Sequence, residues 1–262
     1  GGAGRGRAAG AGVIDLAGKR LFVTGGSRGV GRAVALLFAR AGCDVALSYR
    51  TRRASAEGVA AEIRALGRRA VVVGGDHAEG PTVSAMATAI EQGLGGLDFF
   101  VANAGIWPEA AVAVRDMDDA RWAATMRANL DGVFATTRAA LRLLAPGGSV
   151  VLVSSTAGQR GEAFHADYAV TKGAVIAFTK SLAIECAPAI TVNCVAPGWI
   201  DTDMAAGTLV GDYRAQVERS IPLRRIPSAD DIAGPILFLC SPLARHVTGE
   251  ILNVNGGSVL CG

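Results

Sequence analysis

The chain has 262 residues, 50% hydrophobic and 19% charged, which suits a large buried core and excludes a disordered or fibrous chain. Its 26 Lys and Arg against 23 Asp and Glu leave a formal charge of +3, too small a surplus to point to nucleic acid. No apolar run reaches the roughly 18 to 20 residues of a membrane-spanning helix, nothing reads as a secretory signal, and the cysteines show neither a CxxC pair nor a metal-ligand spacing. A cytoplasmic enzyme with reduced thiols and no metal is expected.

Residues 1 to 12 contain only Gly, Ala and Arg and read as a flexible tail in which Arg5 and Arg7 are solvated. From Lys19 onward, short β-branched runs alternate with longer amphipathic stretches. The predicted strands are Arg20–Thr24, Val45–Tyr49, Ala70–Val73, Asp98–Ala102, Ser149–Ser154, Thr191–Val195 and Ile251–Val254. The helical stretches between them are Gly31–Ala41, Ser55–Leu66, Val83–Glu91, Asp119–Leu144 and Tyr168–Cys186. Strands alternating with helices imply right-handed crossovers and a parallel sheet, and continuously apolar strands such as VVLV imply that both faces are covered. The expected fold is α/β: one Rossmann-type, doubly wound parallel sheet of about seven strands over residues 13 to 262. Residues 199 to 227 lack a strand and read as a mobile substrate loop.

Directly after the first strand stands Thr24-Gly25-Gly26-Ser27-Arg28-Gly29-Val30-Gly31, which opens the first helix. Gly25 permits a sharp turn, and Gly29 and Gly31 let the backbone approach a pyrophosphate at a helix N-terminus. An acid about 20 residues later would pair with the ribose 2′-hydroxyl of NAD. This chain has Ser48-Tyr49-Arg50 there instead. Arg50 and Arg28, with the Ser48 hydroxyl, form a candidate 2′-phosphate site, so NADP(H) is the expected cofactor.

Tyr168 and Lys172 lie one helical turn apart, so a helix brings them to one face. An ammonium beside a phenol favours the phenolate and lowers a pKa that is otherwise near 10, making the tyrosine usable as acid or base. Ser155 follows the fifth strand, where its hydroxyl can hold a substrate oxygen as charge develops.

The glycine loop, Asn103-Ala104-Gly105, Ser155, Tyr168-Ala169-Val170-Thr171-Lys172 and Pro197-Gly198, in this order, resemble the short-chain dehydrogenase/reductase family from about Gly18 to the C-terminus. The resemblance implies hydride transfer between nicotinamide and a carbonyl or secondary alcohol. It implies that Lys172 holds the nicotinamide ribose and that Asn129 supports a water-linked proton relay through the lysine. By the same resemblance Asp76 accepts from the adenine amino group with His77 beside it, Asn103 to Gly105 line the adenosine ribose, and Ile200 and Thr202, after Pro197-Gly198, lie near the nicotinamide amide. His165 is a candidate for the substrate entrance.

The pattern is nearest the 3-oxoacyl-thioester reductases, with two departures. Ala145-Pro146-Gly147-Gly148 stands where those enzymes often carry a basic cluster, and Ala187-Pro188-Ala189 lacks their usual arginine. A carrier-protein partner therefore stays open. The leading expectation is a reductase of a ketone or 3-oxoacyl substrate. A dehydrogenase of a sugar, polyol or steroid-like alcohol is the alternative, and a non-catalytic NADP-binding regulator the outside one. Apolar and small residues on more than one face of Asp119–Leu144 and Tyr168–Cys186 imply subunit pairing, and relatives that pair these helices suggest a homotetramer.

Overall fold

The computed structural model describes residues 14–261, so the expectations for the tail, Arg5 and Arg7 included, lie outside the described residues. Seven parallel strands form one sheet: β1 (Arg20–Val23), β2 (Asp44–Tyr49), β3 (Ala70–Gly74), β4 (Leu97–Ala102), β5 (Leu144–Val153), β6 (Ile190–Pro197) and β7 (Ile251–Val254). Their order is β3-β2-β1-β4-β5-β6-β7, so the winding reverses between β1 and β4. In such sheets ligands bind beyond the carboxyl ends of the strands at that reversal.

Each strand contributes to both faces with the two-residue period of a pleated chain. Leu21, Val23, Val45, Leu47, Phe99 and Val101 pack on one side with α1 (Gly29–Arg40), α2 (Arg53–Ala65) and α9 (Ala229–Leu239). Phe22, Ala46, Phe100 and Ala102 pack on the other with α3 (Gly80–Leu94), α5 (Gly132–Leu141) and α7 (Ala166–Cys186). A sheet buried on both faces is why these strands are apolar at nearly every position.

Three expectations differ from the structure. The stretch Asp119–Leu144 is not one helix: α4 (Asp119–Met126) passes into a π-helical turn, Arg127–Asp131, before α5, and Leu144 already belongs to β5. Strand β5 starts earlier than predicted because a register shift against β4 between Leu97 and Phe99 absorbs Ala145–Gly148. The 199–227 interval carries α8 (Gly211–Ser220) and a small core of its own, in which Ala205, Leu209, Val217, Ile221 and Ile226 pack under Trp199.

Helix α9 follows in a segment without a sequence assignment. It opens on a capping box, Ser228 with Asp231, and contains Pro235. Among the described residues no helix is long and apolar enough to cross a membrane.

Candidate active site

A cleft of about 530 Å³ opens at the reversal point, lined by the glycine turn, the ends of β2 to β6 and the first part of the 199–227 segment. Thr24 fixes its floor. Its hydroxyl accepts from the backbone N–H groups of Asn103 and Ala104, each at 3.0 Å, while the Asn103 amide donates to the Thr24 carbonyl at 3.0 Å. The ends of β1 and β4 are thereby joined where the sheet reverses.

The glycine turn passes from β1 into α1 through Gly25 at φ +68° and Gly29 at φ +52°, a backbone region that favours glycine. The N-cap residue, Arg28, makes no side-chain cap to the first N–H groups of α1, so they and the helix dipole offer a site for an anion. Gly25, Ser27, Arg28, Gly29 and Val30 line the cleft. Gly31 serves packing instead: a Cβ there would lie 2.3 Å from the Gly25 carbonyl oxygen and 2.7 Å from the Asn103 amide nitrogen.

The basic end of the cleft differs from the expected one. Ser48 is fully buried behind the wall, where its hydroxyl accepts from the Gly25 N–H at 3.1 Å and bonds His77 Nε2 at 2.9 Å. It braces the glycine turn and cannot reach a phosphate. Arg50 leans toward Asp76, 3.9 Å away. Arg28 is joined by Arg52, and each places a guanidinium nitrogen 3.5 Å from the same oxygen of Asp203.

Beside them, the Asp76 carboxyl is held below its usual range by the Ala78 N–H, and also by Arg127 at 3.2 Å, against the opposing effect of burial. Burial pulls the His77 imidazole down. Tyr49, Arg50, Asp76, His77, Asn103, Ala104 and Gly105 line this half of the cleft.

Ser155, Tyr168 and Lys172 line the cleft with Pro197, Gly198, Ile200 and Thr202, and Thr202 sits against the glycine turn, its methyl 3.5 Å from where a Cβ on Gly29 would lie. Helix α6 (Thr156–Arg160) is capped by the Ser155 hydroxyl, which accepts from the Ala157 N–H at 3.2 Å. Gly158 lets α6 press onto α7, since a Cβ there would stand 2.4 Å from the Lys172 carbonyl carbon. Ser154 holds the same junction from below, donating to the Lys172 carbonyl at 2.7 Å. On the far side of α7, Asp167 is buried and accepts from Arg121 at 3.0 Å and Thr125 at 2.9 Å. Burial pushes this carboxyl up, but those bonds outweigh it and hold it below its usual range. The first turn of α7, which carries Tyr168, is thus tied to α4.

The expected lowering of the Tyr168 pKa by Lys172 is not what the structure gives. Burial pushes the phenol up to about 12, and a hydrogen bond with Ser155 only partly opposes this. Lys172 lies over the tyrosine ring, 5.7 Å from its centre, and donates to the Val153 carbonyl at 2.9 Å. Burial pulls its ammonium down to about 8.

Asn129 is fully buried in the π-helical turn. Its side-chain oxygen accepts from the Ile106 N–H at 2.7 Å and its amide donates to the Ile106 carbonyl at 2.9 Å, with a longer reach of 3.5 Å to Thr171. These bonds fasten the Gly105–Trp107 segment, and none of them goes to Lys172. Widened helical turns often mark functional sites. His165 does not line the entrance: it is buried and stacks on Trp107, ring centres 4.1 Å apart. Trp107, Trp199 and Met204, all lining the cleft, carried no signal in the sequence reading.

A glycine turn at a helix N-terminus, paired arginines at one end and a Ser–Tyr–Lys wall at the other fit a nicotinamide dinucleotide laid along the cleft. The family model for enoyl-(acyl carrier protein) reductase matches residues 25–258, and the chain belongs to the short-chain dehydrogenase/reductase family of oxidoreductases. A 3-oxoacyl-[acyl-carrier-protein] reductase of Staphylococcus aureus is 38% identical over 242 residues, covering 91% of this chain and 97% of the relative. Nodulation protein G of Azospirillum brasilense is 36% identical with the same coverage. Among solved structures, a short-chain dehydrogenase of Burkholderia cenocepacia in complex with NADP superposes with a TM-score of 0.87 at 37% identity, covering 93% of this chain and 98% of that one.

Proposed function

We propose that the chain is an NADP(H)-dependent reductase of a ketone or 3-oxoacyl carbonyl. The observation that carries this reading is the convergence of Ser155, Tyr168 and Lys172 on the wall of the cleft that ends, at its far side, in Arg28 and Arg52. Bound nicotinamide supplies the hydride. Ser155 and Tyr168 bind and orient the substrate oxygen, and the protonated phenol, with its pKa near 12, gives that oxygen its proton. Lys172 holds positive charge beneath the phenol, and Asn129 keeps the Gly105–Trp107 segment against it.

Loss of NADPH absorbance with a panel of ketones, 3-oxoacyl thioesters and sugar-derived carbonyls tests the reading, with oxidation of polyols and sterol-like alcohols run in reverse. Reduction of ketones or 3-oxoacyl thioesters is expected. Turnover of sugars or polyols alone would favour the alcohol-dehydrogenase reading, and no turnover with any member a non-catalytic role.

The same assay read against pH isolates Lys172. Its depressed pKa means the ammonium is present on the acid side of about 8 and lost above it, whereas Tyr168 stays protonated to about 12. Reductive kcat/KM is therefore expected to be level at neutral pH and to fall as pH rises through about 8. In Lys172→Arg, whose charge does not titrate in this range, that fall should vanish.

Assembly beyond one chain is also proposed. Phe134 of α5 and Ile184 of α7 are 47% and 81% exposed, and the Phe134 ring meets Phe178 across the two helices at 6.3 Å. Exposed apolar side chains on α5 and α7 fit a two-fold helix pairing, with a tetramer as the expected assembly. Light scattering at micromolar concentration should give about four times the 26.6 kDa chain mass; a single-chain mass would refute it.

A further inference from the structure

The chain is poor in aromatic residues, with three Trp and three Tyr. Two of each nevertheless stand in one chain of edge-to-face contacts that begins at the proposed proton donor. Tyr168 meets Trp107 at 4.8 Å and 84°, Trp107 meets Trp199 at 5.8 Å and 73°, and Trp199 meets Tyr213 of α8 at 6.2 Å and 88°. Trp107 follows β4 and Trp199 follows β6, so the two indoles reach the cleft from either side of the strand that leads into Ser155.

Neither ring is a passive filler. Trp107 is held flat by His165, stacked at 4.1 Å and 15°, and Trp199 is rooted in the small core of the 199–227 segment. Among the described residues, the Trp107 indole nitrogen and His165 Nε2 are both buried without a hydrogen-bond partner. Such orphaned groups destabilise a fold, so stability does not explain this arrangement. The neighbouring lining is apolar, from Ile106, Ala157, Met204 and Ala205. Two charged residues of the cleft lining, Arg160 and Glu162, are paired with each other at 3.1 Å.

Resting on the reductase reading above, we propose that Trp107 and Trp199 determine specificity, forming an aromatic corner that selects ketones bearing a planar ring next to the carbonyl carbon over open-chain carbonyls. Two rings near a right angle can receive a third by stacking on one face and meeting the other edge-on. Aromatic pairs of this kind gain beyond the area they bury, by about tenfold in affinity, and an alkyl chain gains only the burial. A hydroxyl-rich sugar would lose water against Ile106, Ala157, Met204 and Ala205, whose side chains offer no hydrogen bond in return.

The test compares two carbonyls of equal carbon number, acetophenone and 2-octanone, together with an acetoacetyl thioester, each with NADPH and the whole chain. The expected kcat/KM is at least tenfold higher for acetophenone than for either open-chain substrate. In Trp107→Leu and Trp199→Leu that ratio should fall toward one, and in Trp107→Phe, which keeps a flat ring, most of it should return. Thermal unfolding and NADPH binding by fluorescence show whether each variant has kept its fold. A ratio at or below one in the unmodified enzyme, or an unchanged ratio in both folded Leu variants, overturns the specificity assignment and leaves the reductase reading intact. No NADPH oxidation with any of the three overturns both.

Discussion

Tyr168→Phe is expected to lower turnover by roughly 10²- to 10⁴-fold, the usual contribution of a positioned proton donor. The phenol is the protonated form across the working range, since burial carries its pKa up to about 12. What the substitution removes is therefore a proton on oxygen, with the ring left behind. The ring contacts survive: Trp107 still has an edge to meet at 4.8 Å, and Lys172 still lies over the ring face. The anchor of α7 survives too, because Asp167 with Arg121 and Thr125 holds that turn independently of the hydroxyl. NADPH binding, followed by fluorescence, and thermal unfolding should stay close to those of the unmodified enzyme. Retention of most activity on a good ketone would show that another group supplies the proton.

Much of this was legible in the chain because the informative signals are local. Apolar runs long enough for one strand, such as Val45–Tyr49, need no knowledge of their neighbours, and neither does a glycine turn between a strand and a helix. The expectations that changed depend on what a side chain meets across the sheet. Ser48 stands two residues before Arg50, but its buried hydroxyl turns to Gly25 and His77. At the π-helical turn, Ile106, 23 residues away in sequence, takes up both ends of the Asn129 amide, a pairing no local pattern announces. The expected phenolate-stabilising effect of Lys172 assumed solvent-like surroundings; in the folded chain burial dominates at both groups. Helix α9 did carry a readable start, Ser228 with Asp231, but Pro235 interrupts the pattern that would announce its length.

Cofactor choice should rest on Arg28 and Arg52 more than on Arg50. Both guanidinium groups already lie at 3.5 Å from one oxygen of Asp203, which shows that their geometry admits a shared anionic oxygen. Arg50 faces Asp76 instead. A charge-assisted hydrogen bond contributes about 1.5–3 kcal/mol, and partial exposure of these side chains argues for the low end. Two such contacts at the low end still give a preference for NADPH over NADH of about tenfold or more in kcat/KM. The double variant Arg28→Ala/Arg52→Ala should bring the ratio near one by weakening NADPH, with NADH little changed. Arg50→Asp should have the smaller effect. Asp203→Asn should move the ratio the other way, because the carboxylate that competes for the same two cations is then neutral. Added salt should shrink the preference in the unmodified enzyme, as expected for contacts at a solvent-exposed rim. Equal efficiency with both cofactors, or an unchanged ratio in the double variant, would remove the 2′-phosphate from this end of the cleft.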